Sequence, residues 1–188
     1  MAIVAEEELL LVQRCLRGDS RAITALVERF QSEVFGLCVR ILNHSQDAED
    51  VTQEVFIRVF RSLTRWDSTR PLRPWILGIA VNRCRTWMAK RAKQPELADY
   101  LHDTVQGKPD DDSKELAHEI RLAVEELREE YRSVFVMYHE QGLPYEEIAE
   151  AMDRPVGTVK TWLHRARLEM LDRLRRRGMI SEVGHELS

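Results

Sequence analysis

The chain has 188 residues, 44% of them hydrophobic and 32% charged, with a formal net charge of −4. That length supports one ordinary domain or two small ones, and no run approaches the roughly 20 apolar residues of a membrane-spanning helix. The start, MAIVAEEELLL, has acids where a secretion signal needs bases, so a cytosolic location without membrane insertion is expected.

Apolar residues return every three and four positions along the chain and a strand-like alternation is almost absent, which predicts an all-α protein built as two small helical domains. A first helix is expected over Glu6–Leu16, stopped by Arg17-Gly18, with Asp19 or Ser20 capping a long second helix through Ile41. The polar NHSQ from Asn43 breaks the pattern. A third helix, about Asp47–Leu63, has acids in its first turn, where the helix dipole favours them. Val51, Val55, Phe56, Val59, Phe60 and Leu63 form its buried face. On the other side Asp50, Gln53, Glu54 and Ile57 follow helical spacing, and an isoleucine among polar side chains is a candidate anchor for a protein partner.

The loop RWDSTRPLR leads to a fourth helix over about Pro74–Lys90. This stretch gathers Arg65, Trp66, Arg70, Arg73, Asn82, Arg83 and Lys90. Cations interleaved with aromatic rings suit a single nucleic-acid strand, whose unpaired bases can stack. Trp66 is the stacking candidate, whereas Trp87 shares a face with Ile76, Ala80 and Cys84 and is expected to be buried.

Residues 94–113, QPELADYLHDTVQGKPDDDS, mix Pro, Gly and an Asp triplet with few apolar residues and read as a flexible acidic linker. Helices follow at about Lys114–Arg128, Glu130–Glu140, Tyr145–Met152 and Val156–Arg176. The last two, joined by about three residues with Pro155 at the start of the second, form a helix-turn-helix. Val156, Val159, Leu163, Ala166 and Met170 mark the buried side of the last helix. Gly157, Thr158, Thr161 and Arg165 lie opposite, with Lys160 and His164 at one edge, so its start can enter a major groove. Residues 179–188 read as a frayed tail.

The charge is unevenly distributed. Residues 58–93 carry ten bases and one acid and residues 151–178 eight and three, while 94–150 carry five bases and sixteen acids. Phosphate contacts respond to local charge, so two basic blocks suggest two contacts on one long ligand. Cys15, Cys38 and Cys84 lie far apart inside apolar patterns and read as buried thiols; no metal-ligand spacing, cofactor motif or catalytic constellation is visible.

DAEDVTQEVFIRVFRSL, WILGIAVNRCRTWMAKR and LPYEEIAEAMDRPVGTVKTWLHRARLEML together resemble regions two and four of bacterial RNA polymerase sigma factors, in the two-domain extracytoplasmic-function group. The resemblance implies region two over 1–93, a linker over 94–113, region four over 114–178 and a tail over 179–188. It implies that Asp50, Gln53, Glu54 and Ile57 dock on the coiled-coil clamp of the polymerase core. Arg65, Trp66, Arg70, Arg73, Asn82, Arg83 and Lys90 would capture the single-stranded −10 element. The helix-turn-helix at 145–164 would read the duplex −35 element, with Lys160, Thr161 and Arg165 as its base readers and Gly157, Thr158 and His164 as further DNA-binding residues.

The linker would thread the polymerase's RNA channel or hold the free protein off DNA, and an anti-sigma factor is an expected partner. Thr161-Trp162 stands where family members often have Ser-Arg, and Leu72 where an aromatic is common. The alternative is a helix-turn-helix regulator that binds duplex DNA without polymerase, which leaves the Asp50–Ile57 face and the Trp/Arg loop unused.

Overall fold

The structure, a computed structural model, describes residues 2–92 and 112–180. Eight α-helices lie among the described residues: α1 (Ala2–Leu16), α2 (Ser20–Leu42), α3 (Ser45–Ser62), α4 (Leu72–Ala92), α5 (Asp112–Glu125), α6 (Glu129–His139), α7 (Tyr145–Met152) and α8 (Val156–Arg176). A short 3-10 turn, Leu63–Arg65, follows α3. The all-helical reading holds, and α7 and α8 have the expected bounds.

Other ends shift by a few residues. Leu72 and Arg73, expected in a loop, open α4. Of the expected linker, Asp112 and Ser113 belong to α5, and residues 94–111, with most of the Asp triplet, lie outside the described residues. Met179 and Ile180, expected in the tail, pack against the core; residues 181–188 are outside the described residues.

The helix ends follow from local chemistry. Gly18 takes φ +79°, and Asp19 then caps α2 by accepting from the N–H groups of Arg21 (3.0 Å) and Ala22 (3.3 Å). Arg14 also donates to Asp19 (2.9 Å), and that bond leads the causes holding the carboxyl below its ordinary pKa. Asn43 closes α2 in the left-handed conformation that Asn tolerates. The next cap is His44, whose Nδ1 accepts from the Asp47 N–H at 3.2 Å.

In the N-terminal half α2, α3 and α4 pack on one another through Leu26, Leu37, Ile41, Val55, Ile76 and Leu77, all shielded from solvent. Phe60 is only half-buried. Cys15, Cys38 and Cys84 are buried free thiols. A charged group also sits in this interior. Glu8 accepts from Arg29 at 3.1 Å and from the Leu72 N–H at the start of α4 at 3.2 Å, joining three helices. Glu8→Ala leaves that buried amide without a partner, and the expected loss is about 1–3 kcal/mol of unfolding free energy, read from the denaturant midpoint.

In the C-terminal half α6, α7 and α8 enclose Val134, Met137, Leu143, Ile148, Val159 and Leu163. The two halves also pack on each other. α4 lies against α2 and α3 on one side and α7 on the other, so its first half, through Val81, is buried on more than one face rather than on one stripe. Across the seam Arg132 of α6 donates to the Ile41 carbonyl at the end of α2 (2.7 Å), and to the Glu125 (2.6 Å) and Leu127 (2.9 Å) carbonyls behind α5. One guanidinium thereby satisfies carbonyls left open at two helix ends.

Candidate nucleic-acid interface

The helix-turn-helix is set by two prolines and one strained residue. Pro144 and Pro155 stand immediately before α7 and α8, where a missing N–H costs nothing. Between the helices Asp153 adopts φ +51°, and the Arg154 N–H returns to the Ala149 carbonyl at 2.9 Å, which turns the chain in three residues. Ile148, Met152, Val159 and Leu163 seal the corner. Tyr138 of α6 stacks on Tyr145 of α7 at 5.0 Å, with Lys160 and Arg167 of α8 over the two rings. Their mutual hydrogen bond pushes the Tyr145 phenol up.

On α8 the buried side is as expected, except that Val156 is half-buried. Gly157, Lys160, Thr161, His164 and Arg165 are exposed, with Thr158 half-buried, so the predicted face is available. Two of these already have internal partners: the Thr161 hydroxyl donates to the Gly157 carbonyl at 2.9 Å, and Arg165 to the Tyr131 hydroxyl at 3.4 Å. The second raises the Arg165 pKa.

The seven residues predicted for the single strand fall into three groups. Asn82 and Arg83 line a cavity of about 280 Å³ between α3 and α4, together with Arg58, Ser62, Ile79 and Thr86. Arg58 and Thr86 were not predicted; the signal was that Arg58 follows the exposed Ile57 and that Thr86 lies one turn beyond Asn82. Lys90 is exposed near the end of α4, and Arg65 is exposed as the last residue of the 3-10 turn.

The remaining residues make contacts within the protein. Arg70 pairs with Glu150 of α7 at 2.7 Å, a bond that raises its pKa, and Arg73 is held by Glu33 and the Gln141 carbonyl. Trp66, the expected stacking platform, is half-buried against the core with its indole N–H enclosed and unpartnered. Trp87 is likewise half-buried, not fully covered as expected.

On α3 the predicted partner face is present. Ile57 is 50% exposed, a large fraction for a branched apolar side chain, and Asp50 and Gln53 are exposed beside it. Glu54 is half-buried and ion-paired with Arg83 of the cavity, so this face and the cavity share one salt bridge. Among the described residues no helix is long and apolar enough to cross a membrane, and no group of three or more potential ligands could hold a metal ion.

Comparison with known proteins matches both halves. Residues 26–94 match the family described as Sigma-70 region 2, and residues 117–170 match Sigma-70, region 4. The chain is 30% identical over 184 residues to the RNA polymerase sigma-H factor of Pseudomonas aeruginosa, covering 91% of this chain and 95% of that protein. It is 32% identical over 181 residues to the ECF RNA polymerase sigma factor SigW of Bacillus subtilis, covering 87% and 95%.

Two solved structures share the fold. They are CnrH in complex with the cytosolic domain of CnrY (TM-score 0.66, 23% identity, covering 89% of this chain and 96% of that one), and the sigma factor RpoE in complex with the anti-sigma factor NepR from Bartonella quintana (0.65, 18%, 81% and 96%). With an exposed basic helix-turn-helix, a cationic cavity beside an isoleucine-centred face, and both sigma-70 regions in order, the chain belongs to the extracytoplasmic-function group of bacterial RNA polymerase sigma factors.

Proposed function

We propose that this sigma factor divides its work among three surfaces. The α3 face of Asp50, Gln53, Glu54 and Ile57 docks on the polymerase core. The α7–α8 unit reads the duplex −35 element through Lys160, Thr161, His164 and Arg165, with Gly157 and Thr158 admitting the backbone. The loop and α4 hold the unpaired −10 strand through Arg65, Trp66, Arg70, Arg73, Asn82, Arg83 and Lys90. The domains divide at 1–93 and 114–178, joined by 94–113.

The observation that carries this reading is the cavity between α3 and α4, where Arg58, Asn82 and Arg83 supply cations and an amide beside the exposed Ile57 face. An amide and guanidinium groups can hydrogen-bond a base edge and its phosphate. Unstacking a base costs a few kcal/mol, offset when a pocket holds the extruded base. Opening is then driven by binding, with no reaction catalysed, and the chain acts in the cytoplasm alongside the polymerase.

The solved sigma factor RpoE in complex with the anti-sigma factor NepR supports the same kind of partner here. The test is transcription with bacterial core polymerase and purified chain on a promoter library. Defined start sites are expected; duplex binding without transcripts would instead indicate a polymerase-independent regulator.

A further inference from the structure

Two stacked tyrosine rings border the last helix of the helix-turn-helix. Tyr138, in the last turn of α6, and Tyr145, the first residue of α7, have ring centroids 5.0 Å apart and planes inclined by 21°, and their phenols share a hydrogen bond. Both are half-buried. A stack of this kind is favourable beyond the area it buries, and it joins α6 to α7 across the turn that Gly142 makes at φ +64°. Each ring has one cation of α8 over it. The Lys160 ammonium lies 5.4 Å from the Tyr145 centroid, and the Arg167 guanidinium lies 5.2 Å from that of Tyr138. Lys160 and Arg167 stand two turns apart on one side of α8, so one pair of rings meets both.

The far end of this row is fixed. Arg167 donates through Nε to His139 Nε2 at 3.3 Å, and the His139 ring lies against Phe135 at 4.5 Å and Tyr138 at 5.0 Å. Partial burial and then the Arg167 charge hold the imidazole below its ordinary pKa, which keeps it neutral and able to accept. The near end is the exposed Lys160, whose flexible stem otherwise samples many rotamers. A ring face attracts the ammonium while carrying no net charge. A carboxylate in that place would also hold the lysine but would repel the phosphates of a bound duplex. An aromatic platform can thus orient a cation beside an anionic ligand without working against the ligand.

We propose that Tyr138 and Tyr145 are positioning residues for sequence reading: the stacked pair, locked by Arg167 and His139, holds the Lys160 ammonium at the exposed start of α8 and so sets the base preference that this lysine contributes. The proposal rests on the reading of Lys160 as a −35 contact. The tyrosines act through the cation above Tyr145 and need not touch DNA. Thr161 and Arg165 have internal partners outside the platform, the Gly157 carbonyl and the Tyr131 hydroxyl. Weakening the platform therefore relaxes preference at the base pair met by Lys160 and leaves the preference read by Arg165 as it was.

The experiment follows binding of the full chain to labelled duplex oligodeoxynucleotides by fluorescence anisotropy. The reference duplex is selected by the parent chain from a randomised pool, and its base pairs are then changed singly. The proteins compared are the parent, Tyr145→Phe, the chain with trifluorophenylalanine in place of Tyr145, Lys160→Ala, and the fluorinated chain carrying Lys160→Ala. Fluorine keeps the shape of the ring and withdraws the negative potential from its face. Tyr145→Phe is expected to match the parent. The fluorinated ring is expected to lose about two- to fivefold in affinity for the reference duplex, with discrimination reduced only at the base pair where Lys160→Ala also reduces it. In the Lys160→Ala background the fluorinated ring is expected to cost nothing further, and the thermal melts of all five proteins should coincide.

Parent-like affinity and discrimination in the fluorinated chain overturn the platform. So does an equal loss with and without Lys160, which would make Tyr145 a packing residue or a DNA contact in its own right. A full loss in Tyr145→Phe assigns the effect to the hydroxyl and overturns it as well. Lys160→Ala with every base preference intact overturns the reading of that lysine, and this failure is visible without any change at Tyr145, so it is distinguishable from a failure of the platform.

Discussion

Ile57→Glu is expected to weaken assembly with core polymerase at least about a hundredfold, close to 3 kcal/mol, while leaving the fold intact. The side chain is half exposed on α3, and Val55, Phe56 and Val59 on the same helix carry the packing, so its removal deletes no core contact. Surface substitutions of this kind usually change stability by less than about 0.5 kcal/mol. At an interface the balance reverses. An apolar anchor contributes most where it is fully desolvated, and a carboxylate in its place must be buried unpaired beside Asp50 and Glu54. Titration of labelled chain with core polymerase, alongside a thermal melt of each variant, gives both numbers. Wild-type affinity for core would remove Ile57 from the docking surface, and a lowered melting temperature would show that the loss comes from the fold.

Arg165→Ala is expected to reduce discrimination between the preferred −35 sequence and a mutated one by about ten- to a hundredfold, since a bidentate arginine–guanine contact carries specificity of that order. The internal contact it loses is long, 3.4 Å to the Tyr131 hydroxyl, and the Tyr131 ring keeps Arg128 over it at 3.7 Å. Folding should therefore be unaffected. Competition binding of duplexes that differ at one position measures the ratio directly. Lys90→Ala provides the contrast. That side chain is exposed near the end of α4 and is read as a phosphate contact, so its loss should weaken binding of every sequence similarly and lower the salt slope by about one. If Arg165→Ala behaved like Lys90→Ala, Arg165 would be a phosphate contact and not a reader.

Much of the site was legible because helical periodicity reports burial. The spacing of Val51, Val55, Phe56 and Val59 determined which side of α3 turns inward, and so predicted that Ile57 would be left outside. Pro144 and Pro155 set the starts of α7 and α8 through local geometry alone. The stretch after α2 was harder to read. Asn, His, Ser and Asp can each end or cap a helix, and the structure uses the less usual pair, Asn43 in the left-handed conformation and His44 as the cap.

The sequence by itself determined the all-helical class, the order of the two regions, the helix-turn-helix and the exposed faces of α3 and α8, since each depends on residues within a few turns of one another. Only the tertiary structure decided that α4 is covered on both sides, that Gly78 meets Ala151, that Arg70 and Arg73 face carboxylates and a carbonyl, and that Trp66 packs inward. These join residues tens of positions apart, such as Arg70 with Glu150. Periodicity states which side of a helix is buried but not against what, and a long arginine side chain takes whichever anion the packed helices bring within reach.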